Sequence, residues 1–251
     1  MSQTDPLTGH ARPYVMEDAL SRSLHFASYE TQSRMWLSDP TALALDYTQT
    51  MMGFLLFNPQ PAHIAMIGLG GGSLAKFCYR HLPQARIDVV EINPHVLALR
   101  EQFLVPANDQ RLCVREGDGA DFIRDIRGEI DVILVDGYDR DGINNRVCSQ
   151  VFYDDCRDSL RSGGLIAVNL SVAHSYYDTF IERIAHSFGK QYLVVRDFEK
   201  RNDIVFAWVD EVSQQALHGE GRPAEVPTEA WSELAPAMNR VRRAWKLRPR
   251  G

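Results

Sequence analysis

The stretch HIAMIGLGGGS, His63 to Ser73, reads as a short apolar strand, Ile64 to Ile67, running into a glycine turn, Gly68 to Gly72. A helix follows at Leu74 to Leu82. The same alternation then repeats down the chain. Ile87 to Val90 is a strand ending at Glu91, and Asn93-Pro94 starts a helix by the cap-and-proline signal. Leu112 to Val114 is a strand followed by Gly117-Asp118-Gly119, and Asp121 to Ile126 a helix. Ile130 to Val135 is an apolar strand ending at Asp136. Val151 to Leu160 is helical, Leu165 to Leu170 a strand and Thr179 to Phe188 a helix. Tyr192 to Val195 and Ile204 to Val209 are close enough in sequence to pair antiparallel. Apolar strands alternating with helices imply a mostly parallel, doubly wound α/β sheet of Rossmann type, covered on both faces. Such sheets bind ligands at the carboxyl ends of their strands, and Gly68 to Gly72, Glu91, Asp118 and Asp136 all fall there.

Upstream, Leu24 to Tyr29 and Ser33 to Leu37 alternate loosely between apolar and polar and read as hairpin strands. Asp39-Pro40 then reads as a helix start, with an apolar stripe at Leu43, Tyr47, Met51, Phe54 and Leu55. Downstream, residues 210 to 236 are polar, with a helix expected at Glu229 to Ala237. Arg240, Arg242, Arg243, Lys246, Arg248 and Arg250 follow without an acid among them. They read as a solvated, frayed terminus, with weak nucleic-acid contact as the sharper alternative. The expected division is a β-strand region at 1–38, a Rossmann-like nucleoside-binding domain at 39–210 and a C-terminal helix with basic tail at 211–251.

Composition narrows the function classes. Hydrophobic residues make up 45% and charged residues 24%, which excludes a disordered or fibrous chain. Lys+Arg total 27 against 33 Asp+Glu, a formal charge of −6, so a body-wide basic surface for nucleic acid is not expected. No apolar run nears the roughly 20 residues of a membrane span. The N-terminus lacks the pattern of a secretory signal. Cys78, Cys113, Cys148 and Cys156 form no CxxC pair, and the eight histidines show no ligand spacing, so no metal site is expected. Reduced, mostly buried thiols suit a cytoplasmic protein.

The glycine turn admits three readings. A dinucleotide fingerprint wants glycine where Ser73 stands, and a P-loop wants GK[ST], which is absent. The third is a nucleoside-sulfonium site, where the turn lies against the ligand's aminopropyl or amino-acid arm. Glu91 is placed to accept from ribose hydroxyls, as in NAD sites too. Asp118 either accepts from an adenine amino group or caps the helix that starts there; paired with Glu91 it favours an S-adenosyl ligand over NAD. Asp136 and Asp139 lie three residues apart over the expected crevice. An alkyl amine has a pKa near that of Lys, about 10.4, so neutralising it at pH 7 costs on the order of 4–5 kcal/mol. A carboxylate there would bind the ammonium and take its proton. Tyr138 stands between the two acids, and His174, with Tyr176 and Tyr177, follows the fifth strand near the same end.

Four blocks in this order resemble the spermidine synthase (polyamine aminopropyltransferase) family: IGLGGGS at Ile67 to Ser73, VVEINP at Val89 to Pro94, GDGADF at Gly117 to Phe122 and VDGYD at Val135 to Asp139. The resemblance runs from about Gln32 to Trp208. It implies a small N-terminal β-region before a class I methyltransferase-type domain, assembled as a homodimer or tetramer. It implies no tightly bound cofactor, a co-substrate of decarboxylated S-adenosylmethionine, and an amine acceptor such as putrescine. Carried over by position, Gln32, Gly68, Gly70, Gly72, Glu91, Asp118 and Gly119 would hold the donor. Asp136 would be the base, Asp139 would help hold the polyamine, and Tyr47 would contact the acceptor; Tyr138, from its place between the two acids, is expected to line the acceptor side. The family's turn reads GGGDG, and its acid contacts the donor amine; Gly71 stands at that position here. Arg140 replaces the proline of DxxDP, and FEKRND, Phe198 to Asp203, replaces a Tyr-Pro segment. The alternatives are therefore a methyltransferase using intact S-adenosylmethionine and a non-catalytic nucleoside-binding homologue.

Overall fold

A computed structural model describes residues 4–26, 31–139, 142–199 and 201–248, with the backbone alone at 138, 139, 142 and 143. Three short strands come first, β1 (Tyr14–Glu17), β2 (Ser21–His25) and β3 (Ser33–Trp36), paired antiparallel in that order. The expected strand at Ser33 to Leu37 is β3; of the one expected at Leu24 to Tyr29, residues 27–30 lie outside the described residues, and its partner β2 begins earlier, at Ser21, while β1 adds a strand that its weak alternation did not reveal. Next comes α1 (Asp46–Met51), continued by a 3₁₀ turn, Met52–Leu56. Then follow β4 (His63–Ile67), α2 (Ser73–His81), β5 (Arg86–Glu91), α3 (Pro94–Leu97), β6 (Leu112–Glu116), α4 (Gly119–Arg124) and β7 (Ile130–Val135). A two-residue hairpin, β8 (Tyr138–Asp139) with β9 (Gly142–Ile143), precedes α5 (Gln150–Ser159), β10 (Leu160–Ser171), α6 (Tyr177–Phe188), β11 (Tyr192–Arg196), β12 (Asn202–Trp208), α7 (Gln215–His218) and α8 (Thr228–Leu247).

Seven strands make one sheet in the order β11-β12-β10-β7-β4-β5-β6. All neighbours from β10 to β6 are parallel, and β12 runs antiparallel to both β10 and β11. The chain order reverses between β4 and β7, which opens the crevice where such sheets take ligands. Strand periodicity divides the core. Ile64, Met66, Val132 and Leu134 face one apolar cluster with α2 and α8; Ala65, Ile67, Ile133 and Val135 face the other with α5 and α6. Burying each of these side chains other than Ala65 contributes about 1.5–3 kcal/mol. Asp131 interrupts the apolar run of β7 without leaving a bare charge. One of its oxygens accepts from the Ala62 and His63 amides, both at 2.8 Å, and the other meets Arg161 at 3.1 Å.

Two sequence expectations are corrected. Asp39-Pro40 does not open a helix: the Asp39 carboxylate accepts from the Thr41 amide (3.1 Å) and hydroxyl (2.7 Å), closing a local turn, and α1 begins only at Asp46. The basic tail is helical as far as Leu247, and Arg250 lies outside the described residues. Helix α8 runs on to Leu247 because Leu234, Met238, Val241 and Trp245 bury one face. Trp245 packs against Phe57 and Trp208 at ring-centroid distances of 5.8 and 5.5 Å. Arg240 binds the Asp46 carboxylate at 2.7 Å and the Thr50 hydroxyl at 2.8 Å, while Arg242 donates to the Ala216 and Gly221 carbonyls. No helix among the described residues is long and apolar enough to cross a membrane.

Candidate active site

A cavity of about 710 Å³ opens at the carboxyl ends of β4, β5 and β7. Its wall brings together Gln32, Tyr47, Gly68, Gly70, Glu91, Asp118, Gly119 and Asp136, residues that the sequence scatters over more than a hundred positions. Gly72 is not on the wall. It caps α2 in a left-handed conformation, φ +69°, where a Cβ would lie 2.3 Å from Val105 Cγ2. Tyr138 and Asp139 form β8, whose side chains are not described, and Arg140 lies outside the described residues.

Glu91 ends β5 nearly buried. Its carboxylate accepts from the Leu69 and Asn93 amides, both at 2.8 Å, and also from the Gly70 amide. Burial raises its pKa and these bonds oppose the rise. Three of roughly four lone-pair sites are thus committed, two of them to holding the glycine turn against β5. Asp118 does cap α4, accepting from the Ala120 amide at 2.8 Å, and its other oxygen meets Arg146 at 2.7 Å. The capping reading is therefore satisfied, and Asp118 still lines the cavity. Gly119 sits under it, where a Cβ would come within 2.4 Å of Ile67 Cγ2.

Asp136 occupies the other side. The strand end places it in the cavity wall, and both its oxygens are tied: Oδ2 accepts from the Tyr47 hydroxyl at 3.0 Å and Oδ1 from Asn169 Nδ2 at 2.8 Å. Burial pushes its pKa above the usual carboxylate range, and the two hydrogen bonds pull against that shift. Tyr47 comes from α1, held in place by the Asp46–Arg240 pair. Tyr47→Phe removes a donor that favours the ionised form, so the Asp136 titration midpoint should move to higher pH in NMR of the labelled carboxyl. A midpoint that stays put would detach Tyr47 from the acid.

Asn169, on β10, was not singled out by sequence. It is 4% exposed, and its Oδ1 is buried without a hydrogen-bond partner among the described residues while its side chain lines the cavity. Its only sequence signal is a polar residue in the apolar run Leu165 to Leu170. His174, Asp197, Glu199, Arg201 and Asn202 line the same end, so the FEKRND segment borders the cavity. Gly71 is not a missing side chain over empty space. A Cβ there would meet Ser33 Oγ at 2.6 Å and Phe103 Cδ1 at 2.8 Å. Neighbouring residues fill the position of the family's acid. No cluster able to hold a metal occurs among the described residues.

The cavity wall thus carries Glu91 and Asp118 together with Asp136. Residues 45–196 match the Spermine/spermidine synthase domain. A polyamine aminopropyltransferase of Chromobacterium violaceum is 42% identical over 175 residues, covering 69% of this chain and 67% of that protein. A spermidine synthase in complex with the transition state analogue AdoDATO superposes with a TM-score of 0.62 over 90% of this chain and 89% of that one, at 16% identity. Human methyltransferase-like protein 13 in complex with SAH does so with a TM-score of 0.59 over 83% and 95%, at 24% identity. These two structural likenesses establish the class I methyltransferase fold.

Proposed function

The chain belongs to the spermine/spermidine synthase family, and from that premise we propose that it moves an aminopropyl group from decarboxylated S-adenosylmethionine to a small amine such as putrescine. The observation that carries the reading is Asp136, fixed by Tyr47 and Asn169 in the wall of a cavity whose other end holds Glu91 and Asp118. In this reaction the amine nitrogen attacks the methylene beside the sulfonium and the carbon–sulfur bond breaks. Methylthioadenosine leaves as a neutral thioether, and Asp136 takes the ammonium proton. The elevated pKa of Asp136 narrows the gap to the amine it deprotonates. The unpartnered Asn169 Oδ1 is available to accept a second N–H and hold the lone pair toward the donor. Alignment for in-line displacement supplies the remaining acceleration.

The filled Gly71 position favours a second reading, methyl transfer from intact S-adenosylmethionine, because no acid stands there to repel the donor carboxylate. Calorimetry separates the two. Methylthioadenosine is expected to bind in the micromolar range, about −8 kcal/mol. Binding of S-adenosylhomocysteine without methylthioadenosine transfers the assignment to a methyltransferase. Failure of both ligands removes the S-adenosyl site.

A further inference from the structure

The wall of the nucleoside half is completed by a segment that the four family blocks do not include. Thr4, Gly9, His10 and Ala11 line the cavity beside Glu91, Asn93 and Val96. The segment is a built turn. The Asp5 amide donates to the His10 carbonyl at 2.9 Å, the Gly9 amide to the Asp5 carbonyl at 2.8 Å, and Thr4 bridges Ala11. The Asp5 carboxylate, 5% exposed, accepts from the Leu7 amide (2.9 Å) and meets Arg12 (2.8 Å) and His95 (3.0 Å). Asn93 Nδ2 donates to the Ala11 carbonyl at 2.9 Å. His95 and Asn93 belong to the β5–α3 junction, the same few residues that carry Glu91. The turn is therefore bolted to the ribose-binding acid's own support.

Ligand chemistry makes use of it. A ribose presents two vicinal hydroxyls, each able to donate and to accept. Glu91 has about one lone-pair site left after its three backbone bonds, so it serves one of those hydroxyls well and not both. The His10 imidazole has no hydrogen-bond partner among the described residues, and it lines the same cavity wall as Glu91. Resting on the S-adenosyl reading above, we propose that the turn Asp5–Ala11 is the outer wall of the donor site and that His10 hydrogen-bonds the donor ribose alongside Glu91.

The test uses the full chain and methylthioadenosine as probe. His10→Ala should weaken binding about 3- to 12-fold, the loss of one ordinary hydrogen bond, with the melting temperature of the free protein unchanged. His10→Gln, which keeps a donor and an acceptor, should recover part of the affinity. Hydrogen exchange of the Asp5 and Gly9 amides should slow when the ligand is added. An unchanged Kd for His10→Ala, with the unmodified protein binding, overturns the proposal alone. A loss of affinity that tracks a fall in melting temperature in both variants makes His10 structural and overturns it too. No binding of methylthioadenosine by the unmodified protein removes the aminopropyl-donor reading and this proposal with it.

Discussion

Asp136→Asn should lower turnover by a factor of order 10² or more while leaving methylthioadenosine affinity within about twofold. The substitution keeps the volume of the side chain and one oxygen for the Tyr47 hydroxyl, which donates to Asp136 at 3.0 Å. It removes the only feature that the reaction demands, a group that can accept a proton. Without it the amine must lose its proton to water at neutral pH, against a cost on the order of 4–5 kcal/mol. The pH profile gives an independent sign. Burial raises the pKa of Asp136, so activity should climb through an acid limb that lies above the ordinary carboxylate range and reach its plateau where the acid is ionised. That limb should vanish in Asp136→Asn. Turnover equal to that of the unmodified protein would strip Asp136 of its role as base.

Gly68→Ala should be among the most damaging single-methyl additions in the chain. Gly68 has φ +95°, and a Cβ there would stand 2.3 Å from the carbonyl oxygen of Asp136. The contact is backbone against backbone, so no side chain can swing away. Strained φ costs about 1–3 kcal/mol and overpacking about 1–3 kcal/mol more. The total, roughly 2–6 kcal/mol, is a large part of a stability of about 5–15 kcal/mol. The melting temperature should fall by roughly 5 to 20 °C, and methylthioadenosine affinity should fall with it, because the turn and Asp136 would be pushed apart. Gly128→Ala is the control: φ is +62° and nothing lies within 4 Å, so only the backbone preference is at stake. Equal melting temperatures for the two variants would show that the β4–β7 junction yields without cost.

Much of the site was legible because its members sit at strand ends. A strand of the Ile64–Ile67 type stops where its apolar run stops, and in a parallel sheet all such stops open on one edge. Gly68, Glu91, Asp118 and Asp136 were readable for that reason, and the cavity wall contains all four. Asn169 was less legible because it lies inside a strand, where one polar residue in an apolar run signals burial and not its partner. The turn Asp5–Ala11 was invisible for a different reason: local sequence says that Asp5 and Gly9 can make a turn, not that Asn93 and His95 will anchor it from more than eighty residues away. The basic tail misled because charge was read without its acceptors. Arg240 and Arg242 look solvated until Asp46, Ala216 and Gly221 are brought beside them.

The sequence by itself determined the alternation of strands and helices, the glycine turn and the family. Each is a matter of residues within a few positions of one another, where periodicity and backbone freedom act. The tertiary structure alone decided that Tyr47 and Asn169 share Asp136, that Ser33 and Phe103 fill the space over Gly71, and that α8 closes on the core. Those outcomes depend on which surfaces meet once apolar area leaves water, and burial of that kind carries no local mark in the chain.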